Sequence, residues 1–110
     1  MDDAQQANLT AALDRMWDQF LPQMRERVAV LEAAAAAFAS DRLSLAQHQA
    51  ANAAAHKLAG VLGTFNLTRG TVLARELEMM YSRDGGPDPA LAKKLVEIAA
   101  ELRAIVENRK

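Results

Sequence analysis

The chain contains no cysteine, which excludes a disulfide framework, a thiolate zinc site and a cysteine nucleophile. It has no excess charge of one sign either, since 13 Lys and Arg face 14 Asp and Glu for a formal net charge of −1. Proteins that bind nucleic acid or anionic membranes rely on a strong basic excess, so both partner classes are set aside. No apolar run approaches the roughly 18–20 residues that span a bilayer. The opening Met1-Asp2-Asp3 is acidic where a secretory leader is basic. A reduced, cytoplasmic compartment is the resulting expectation. Aromatic residues make up only 5% of the chain, and glycine and proline number 5 and 3. Sparse β-branched and aromatic side chains argue against strands, and few helix breakers argue for helices.

What is present fits that reading. The chain is 110 residues long and 51% hydrophobic, with alanine dominant; this length suits one domain, residues 1–110. Leu9, Leu13, Met16 and Phe20 recur at helical spacing, and Met24, Val28, Leu31, Ala35 and Phe38 continue the stripe. Pro22 lacks an N–H and clashes with the preceding turn, so it predicts a short first helix over 4–20 and a second over 22–39. The run Ala33 to Ala37 sits inside the stripe and reads as a close-packed helix face. Ser44 with Gln47 forms a capping-box signature for a helix that carries Ala51, Ala55, Leu58 and Leu62 and ends near Gly63. Asn66 or Thr68 is then expected to cap a helix running to Tyr81. Ser82 to Pro87 has loop composition, and Asp88-Pro89 reads as a cap followed by proline at the first helical position. Leu91, Leu95, Ile98, Leu102 and Ile105 form the last stripe. Short links between such stripes predict an all-α, up-down antiparallel four-helix bundle with a short extra N-terminal helix.

One histidine falls outside the core pattern. At about 100° per residue, His56 lies roughly 140° from the centre of the Ala51, Ala55, Leu58 and Leu62 cluster. It is therefore expected to face solvent or a shallow groove. Ala53, Ala59, Gly60 and Gly63 surround it, where a solvent face normally carries Glu, Lys, Gln and Arg, and an interior glycine costs about 1 kcal/mol against alanine. Either His56 is merely solvated, with Gly60 marking a tight helix crossing, or small residues clear space for a partner to reach the imidazole. His48 lies nearer the core side among Gln47, Gln49 and Asn52, has no such clearing, and reads as structural or simply exposed.

The stretch Ala55-His56-Lys57-Leu58-Ala59-Gly60, then Leu62-Gly63-Thr64-Phe65-Asn66-Leu67, closing with Leu73-Ala74-Arg75-Glu76-Leu77-Glu78, resembles the histidine-phosphotransfer domain family. The resemblance covers nearly the whole chain. It implies a four-helix bundle with one phosphorylatable histidine, His56. Such a domain would relay phosphoryl groups to and from receiver-domain aspartates or accept one from a histidine kinase. It would be a monomeric phosphocarrier with no kinase activity and no cofactor of its own, magnesium belonging to the partner receiver. The resemblance further implies that Gly60 lets the receiver approach and that Glu78 accepts a hydrogen bond from Nδ1–H of His56. Holding the proton there leaves Nε2 as the nucleophile; a solvated or helix-paired carboxylate is the plainer role for Glu78.

Two positions depart from the family pattern. Asn66 replaces a glycine, which asparagine's tolerance of left-handed backbone accommodates. Ala59 replaces the lysine that would offer charge to the phosphoryl oxygens. Lys57 sits about 100° around the helix from His56. Arg75 lies three residues before Glu78 and is the candidate replacement, with an ordinary surface arginine as its other reading. Two competing functions remain on this evidence. One is a degenerate bundle kept for docking or dimerisation. The other is a haem or metal site using His48, His56 and the methionines, disfavoured because the two histidines lie about 80° apart around one helix.

Overall fold

The computed structural model describes residues 2–109. Four helices follow one another: α1 (Asp3–Ala39), α2 (Leu45–Thr64), α3 (Thr68–Tyr81) and α4 (Ala92–Glu107), with a 3₁₀ turn over Pro89–Leu91 leading into α4. The short connections make each helix antiparallel to the next. Paired contacts run in opposite order along the chain: Asp14, Arg25 and Glu32 of α1 meet Arg109, Glu107 and Arg103, while His48 and His56 of α2 meet Tyr81 and Glu78. His56 of α2 meets Glu78 of α3, Arg69 of α3 meets Glu101 of α4, and Arg103 of α4 meets Glu32 of α1. The last of these closes the ring of helices.

The expected extra N-terminal helix does not exist as a separate element. Pro22 lies inside α1, which continues through it. Proline removes one backbone hydrogen bond and strains the turn before it, a cost of about 3 kcal/mol. Trp17 on one side of it and Met24, Val28 and Leu31 on the other are all buried in the same core, each contributing about 1.5–3 kcal/mol by burial. A break at Pro22 would forfeit part of that packing, so the helix persists.

The first part of the α1 stripe also behaves differently from its pattern. Leu9, Met16 and Phe20 are exposed, and Trp17 is the buried side chain instead. Met16 and Phe20 border a groove against α2, and for Leu9 the reason is length. At ~1.5 Å per residue a helix the size of α2 covers ~30 Å, whereas α1 has 37 residues and the molecule extends 53 Å along its longest axis. The start of α1 therefore projects past the ends of its neighbours, and every described residue up to Ala11 is exposed.

Local signals elsewhere set the helix ends. Ser44 and Gln47 form the reciprocal capping box, with both bonds at 3.0 Å. Asp88 accepts from the Ala90 N–H at 3.0 Å, ahead of the 3₁₀ turn rather than of α4 itself. Neither Asn66 nor Thr68 caps α3; Leu67 occupies that position with no side-chain bond. Asn66 instead closes α2. Its backbone is left-handed at φ +58°, and the Leu67 N–H reaches back to the Leu62 carbonyl at 3.0 Å, the usual pattern of a left-handed helix ending. Departure from glycine thus leaves the turn intact, and α3 starts in the register that brings Glu78 opposite His56.

The core draws on all four helices, with Met24, Leu31, Leu58, Leu62, Leu77, Tyr81, Leu95 and Leu102 almost fully buried. Ala34, Ala35, Ala51, Ala54, Ala55, Ala59, Ala74 and Ala99 are buried between them. Small side chains at helix contacts let the backbones come close, which is where the alanine-rich composition is used.

Candidate functional site

His56 sits on the outer face of α2 with its side chain 70% exposed. Its Nδ1 lies 2.6 Å from Oε2 of Glu78 on α3. An ionised carboxylate only accepts hydrogen bonds, so Nδ1 carries the proton and donates it. Nε2 has no partner among the described residues, and in the neutral ring with its proton on Nδ1 that nitrogen keeps its lone pair, the tautomer a nitrogen nucleophile needs.

Asn52 holds the carboxylate's backbone in place. One turn before His56 on α2, its Nδ2 donates to the Glu78 carbonyl at 3.0 Å and to the Ser82 Oγ at 2.8 Å. The Ser82 hydroxyl donates to the same Glu78 carbonyl at 2.6 Å. These bonds tie the end of α3 to α2 at the level where Glu78 meets the imidazole. From the sequence Asn52 reads only as a polar neighbour of His48. Its signal was the four-residue spacing to His56, which puts the two on one helix face.

Gly60 lies one turn beyond His56, and a Cβ built there would meet nothing within 4 Å. The glycine therefore serves no close helix crossing within the molecule, and that reading is removed. Ala59 is a different case. It is 1% exposed and belongs to the core, so it clears no space around the imidazole; Ala53, Gly60 and Gly63 are the small residues on the exposed side. A lysine at position 59 would have to start its side chain inside the bundle.

A groove of about 450 Å³ opens beside His56 between α1 and α2. Its apolar wall is Met16 and Phe20 from α1 with Val61 from α2 and Phe65 just beyond its end. Phe65 is anchored edge-on against Trp17, with ring centroids 5.1 Å apart. Two cations line the groove with His56, namely Lys57 and Arg27. Arg75 is exposed on α3, outside this groove, and makes no ion pair among the described residues. Arg27 was not singled out from sequence, because an arginine beside an apolar stripe looks like any surface residue until the α1–α2 register is known.

His48 has a structural task. Its Nε2 donates to the backbone carbonyl of Tyr81, and its ring packs edge-on to the Tyr81 ring at 6.0 Å. The two histidines are thus bound to different points of α3. Among the described residues no three His, Asp or Glu side chains converge as a metal site would require. No described helix is long and apolar enough to cross a membrane.

A protein-family profile described as Hpt domain matches residues 15–108. Protein RcaC of Microchaete diplosiphon is 37% identical over 76 residues, which is 69% of this chain and 12% of RcaC. The chain thus spans a small part of the length of that curated relative. No solved structure matches it.

Proposed function

Since the chain belongs to the Hpt domain family, whose members carry phosphoryl groups in two-component signalling, we propose that His56 is the residue phosphorylated here. In this reading the domain accepts the group from a receiver-domain aspartate or a histidine kinase and passes it to a response-regulator receiver. The observation that carries the reading is the 2.6 Å bond between Nδ1 of His56 and Glu78 on a ring otherwise open to solvent.

The step is a displacement at phosphorus. The Nε2 lone pair forms the N–P bond, and the P–O bond of the aspartyl phosphate breaks with its electron pair returning to the aspartate carboxylate. The Nδ1 proton stays in its bond to Glu78, whose negative charge offsets the positive charge that develops on the ring. Transfer onward is the same displacement reversed. Gly60 and the apolar groove leave room for a receiver to seat its acidic centre over the imidazole. Magnesium belongs to the receiver, and the domain acts as a monomer in the cytoplasm without kinase activity of its own.

Incubation with phosphorylated receivers, scored as acid-labile and alkali-stable label, tests the proposal. His56→Gln abolishes the label and leaves helicity intact, whereas His48→Gln keeps the label. Label persisting on the His56 variant rejects the assignment. A docking or dimerisation module is the second reading, favoured by the exposed Leu9, Met16 and Phe20 along α1. It predicts a folded protein that no donor labels.

A further inference from the structure

We propose that Arg27 of α1 binds the phosphoryl oxygens carried on His56, in place of the lysine that position 59 lacks; this rests on the assignment of His56 as the phosphorylated residue. Ala59 is buried in the core, so the stabilising cation has to come from another element. Arg27 lines the same groove as His56, approaching from the helix on the opposite side of α2 from Glu78. The imidazole thus stands between a carboxylate on its Nδ1 side and a guanidinium across the groove.

Three further features set Arg27 apart. It is half-buried, whereas Arg15, Arg42 and Arg75, which also lack an ion pair among the described residues, are each exposed. No carboxylate is available to it along its own helix face, where Gln23, Met24, Val30 and Leu31 are its neighbours one turn away. The helix it faces offers none either, since α2 contains no Asp or Glu. Arg25, Arg69, Arg103 and Arg109, by contrast, each pair with a Glu or Asp. The groove's charged side chains are therefore Arg27 and Lys57 alone, with no acid in its lining. A half-buried arginine with no carboxylate partner is held at the groove with its donors free, and a phosphoryl group on Nε2 supplies the missing anion. Arginine is suited to the task because its planar fork offers two parallel N–H donors to phosphate oxygens. Lys57 is exposed and offers only a flexible point charge.

Phosphoramidate, a small donor, labels the histidine without a receiver and so separates phosphoryl binding from partner docking. The domain is treated with phosphoramidate, and both the labelling rate and the lifetime of the phosphohistidine are followed. Arg27→Gln is expected to slow labelling and shorten the lifetime by about tenfold, below the larger losses seen when a fully enclosed oxyanion donor is removed. Arg27→Lys restores part of the effect, and Arg75→Gln leaves both rates near wild type. Should Arg27→Gln fail to fold, the wild-type protein provides a second readout: the Nε–H resonance of Arg27 shifts on phosphorylation. An Arg27→Gln protein that is folded and labels at the wild-type rate overturns the proposal, as does an unmoved Arg27 resonance. If phosphoramidate leaves wild-type His56 unlabelled, the phosphocarrier reading falls, and this proposal with it.

Discussion

Replacing Gly60 separates what the fold needs from what the partner needs. An interior helical glycine is worse than alanine by about 0.8–1 kcal/mol, and a Cβ at position 60 meets nothing within 4 Å. Gly60→Ala is therefore expected to stabilise the domain by about 0.5–1 kcal/mol, raising Tm by roughly 3–6 °C for a chain of this size. Gly70 provides the opposite case on the neighbouring helix. A Cβ there would sit 2.9 Å from Cδ1 of Leu62 and 3.3 Å from Cγ2 of Ile105, and overpacking of that kind costs about 1–3 kcal/mol. Gly70→Ala is thus expected to lower Tm although its intrinsic helix gain is the same. Function runs the other way. Gly60→Leu leaves the fold intact but places a branched side chain one turn from His56, where a receiver would seat. Misplacement of reacting groups by about 1 Å can cost on the order of 100-fold in rate, so transfer from a phosphorylated receiver should fall by at least about tenfold. Thermal melts and receiver-to-domain transfer rates on the three variants check this. A destabilised Gly60→Ala, or a Gly60→Leu that transfers at the wild-type rate, refutes the reasoning.

Further tests address the polar groups. Glu78→Ala is expected to slow transfer by about 100-fold, the usual scale of a lost acid–base or orienting group, and ¹⁵N shifts of the His56 ring should report a mixed tautomer; an unchanged tautomer removes Glu78 from the site. Asn52→Ala should cost about 1 kcal/mol in urea unfolding and slow transfer less than Glu78→Ala does, because it releases the backbone of Glu78 and keeps its carboxylate. The Tyr81 hydroxyl is buried without a hydrogen-bond partner among the described residues, so Tyr81→Phe should be neutral or stabilising by about 1 kcal/mol at neutral pH. Burial pushes the Tyr81 hydroxyl up to about 12 from its ordinary 10.0. The unfolded chain then loses this proton first as pH rises, and stability falls between those values. That alkaline loss should be smaller in Tyr81→Phe, and equal slopes for the two proteins in pH-dependent melts would refute the assignment.

The helices, most of their limits and the exposed facing of His56 follow from local chemistry: apolar spacing, the Ser44–Gln47 box, and the Asp88-Pro89 cap. These depend on residues within a turn or two of each other, so one-dimensional reading reaches them. Pro22 shows where it stops. Its local cost is real, but whether a helix breaks there depends on what Trp17 and Met24 bury against, and those partners lie on other helices. The exposure of Leu9 has the same origin, because only the lengths of α2 and α4 decide that nothing covers the start of its stripe, whereas Met16 and Phe20 lie beside α2 and are left open as a wall of its groove.

The site divides along the same line. His56, Gly60 and Glu78 could be named from the chain, because two of them share a helix face and the third is carried by a motif at fixed separation. Sequence spacing puts Ala59 beside the imidazole, yet helix packing draws that position into the core. Which cation faces His56 was beyond sequence altogether. From the chain Arg75, 19 residues after the histidine, is the candidate, and Arg27, 29 residues before it, looks like any surface arginine. Only the register of α1 against α2 brings Arg27 into the groove and leaves Arg75 outside it. Local propensity acts over a few residues, whereas a groove between two helices is defined by contacts that chain order does not encode.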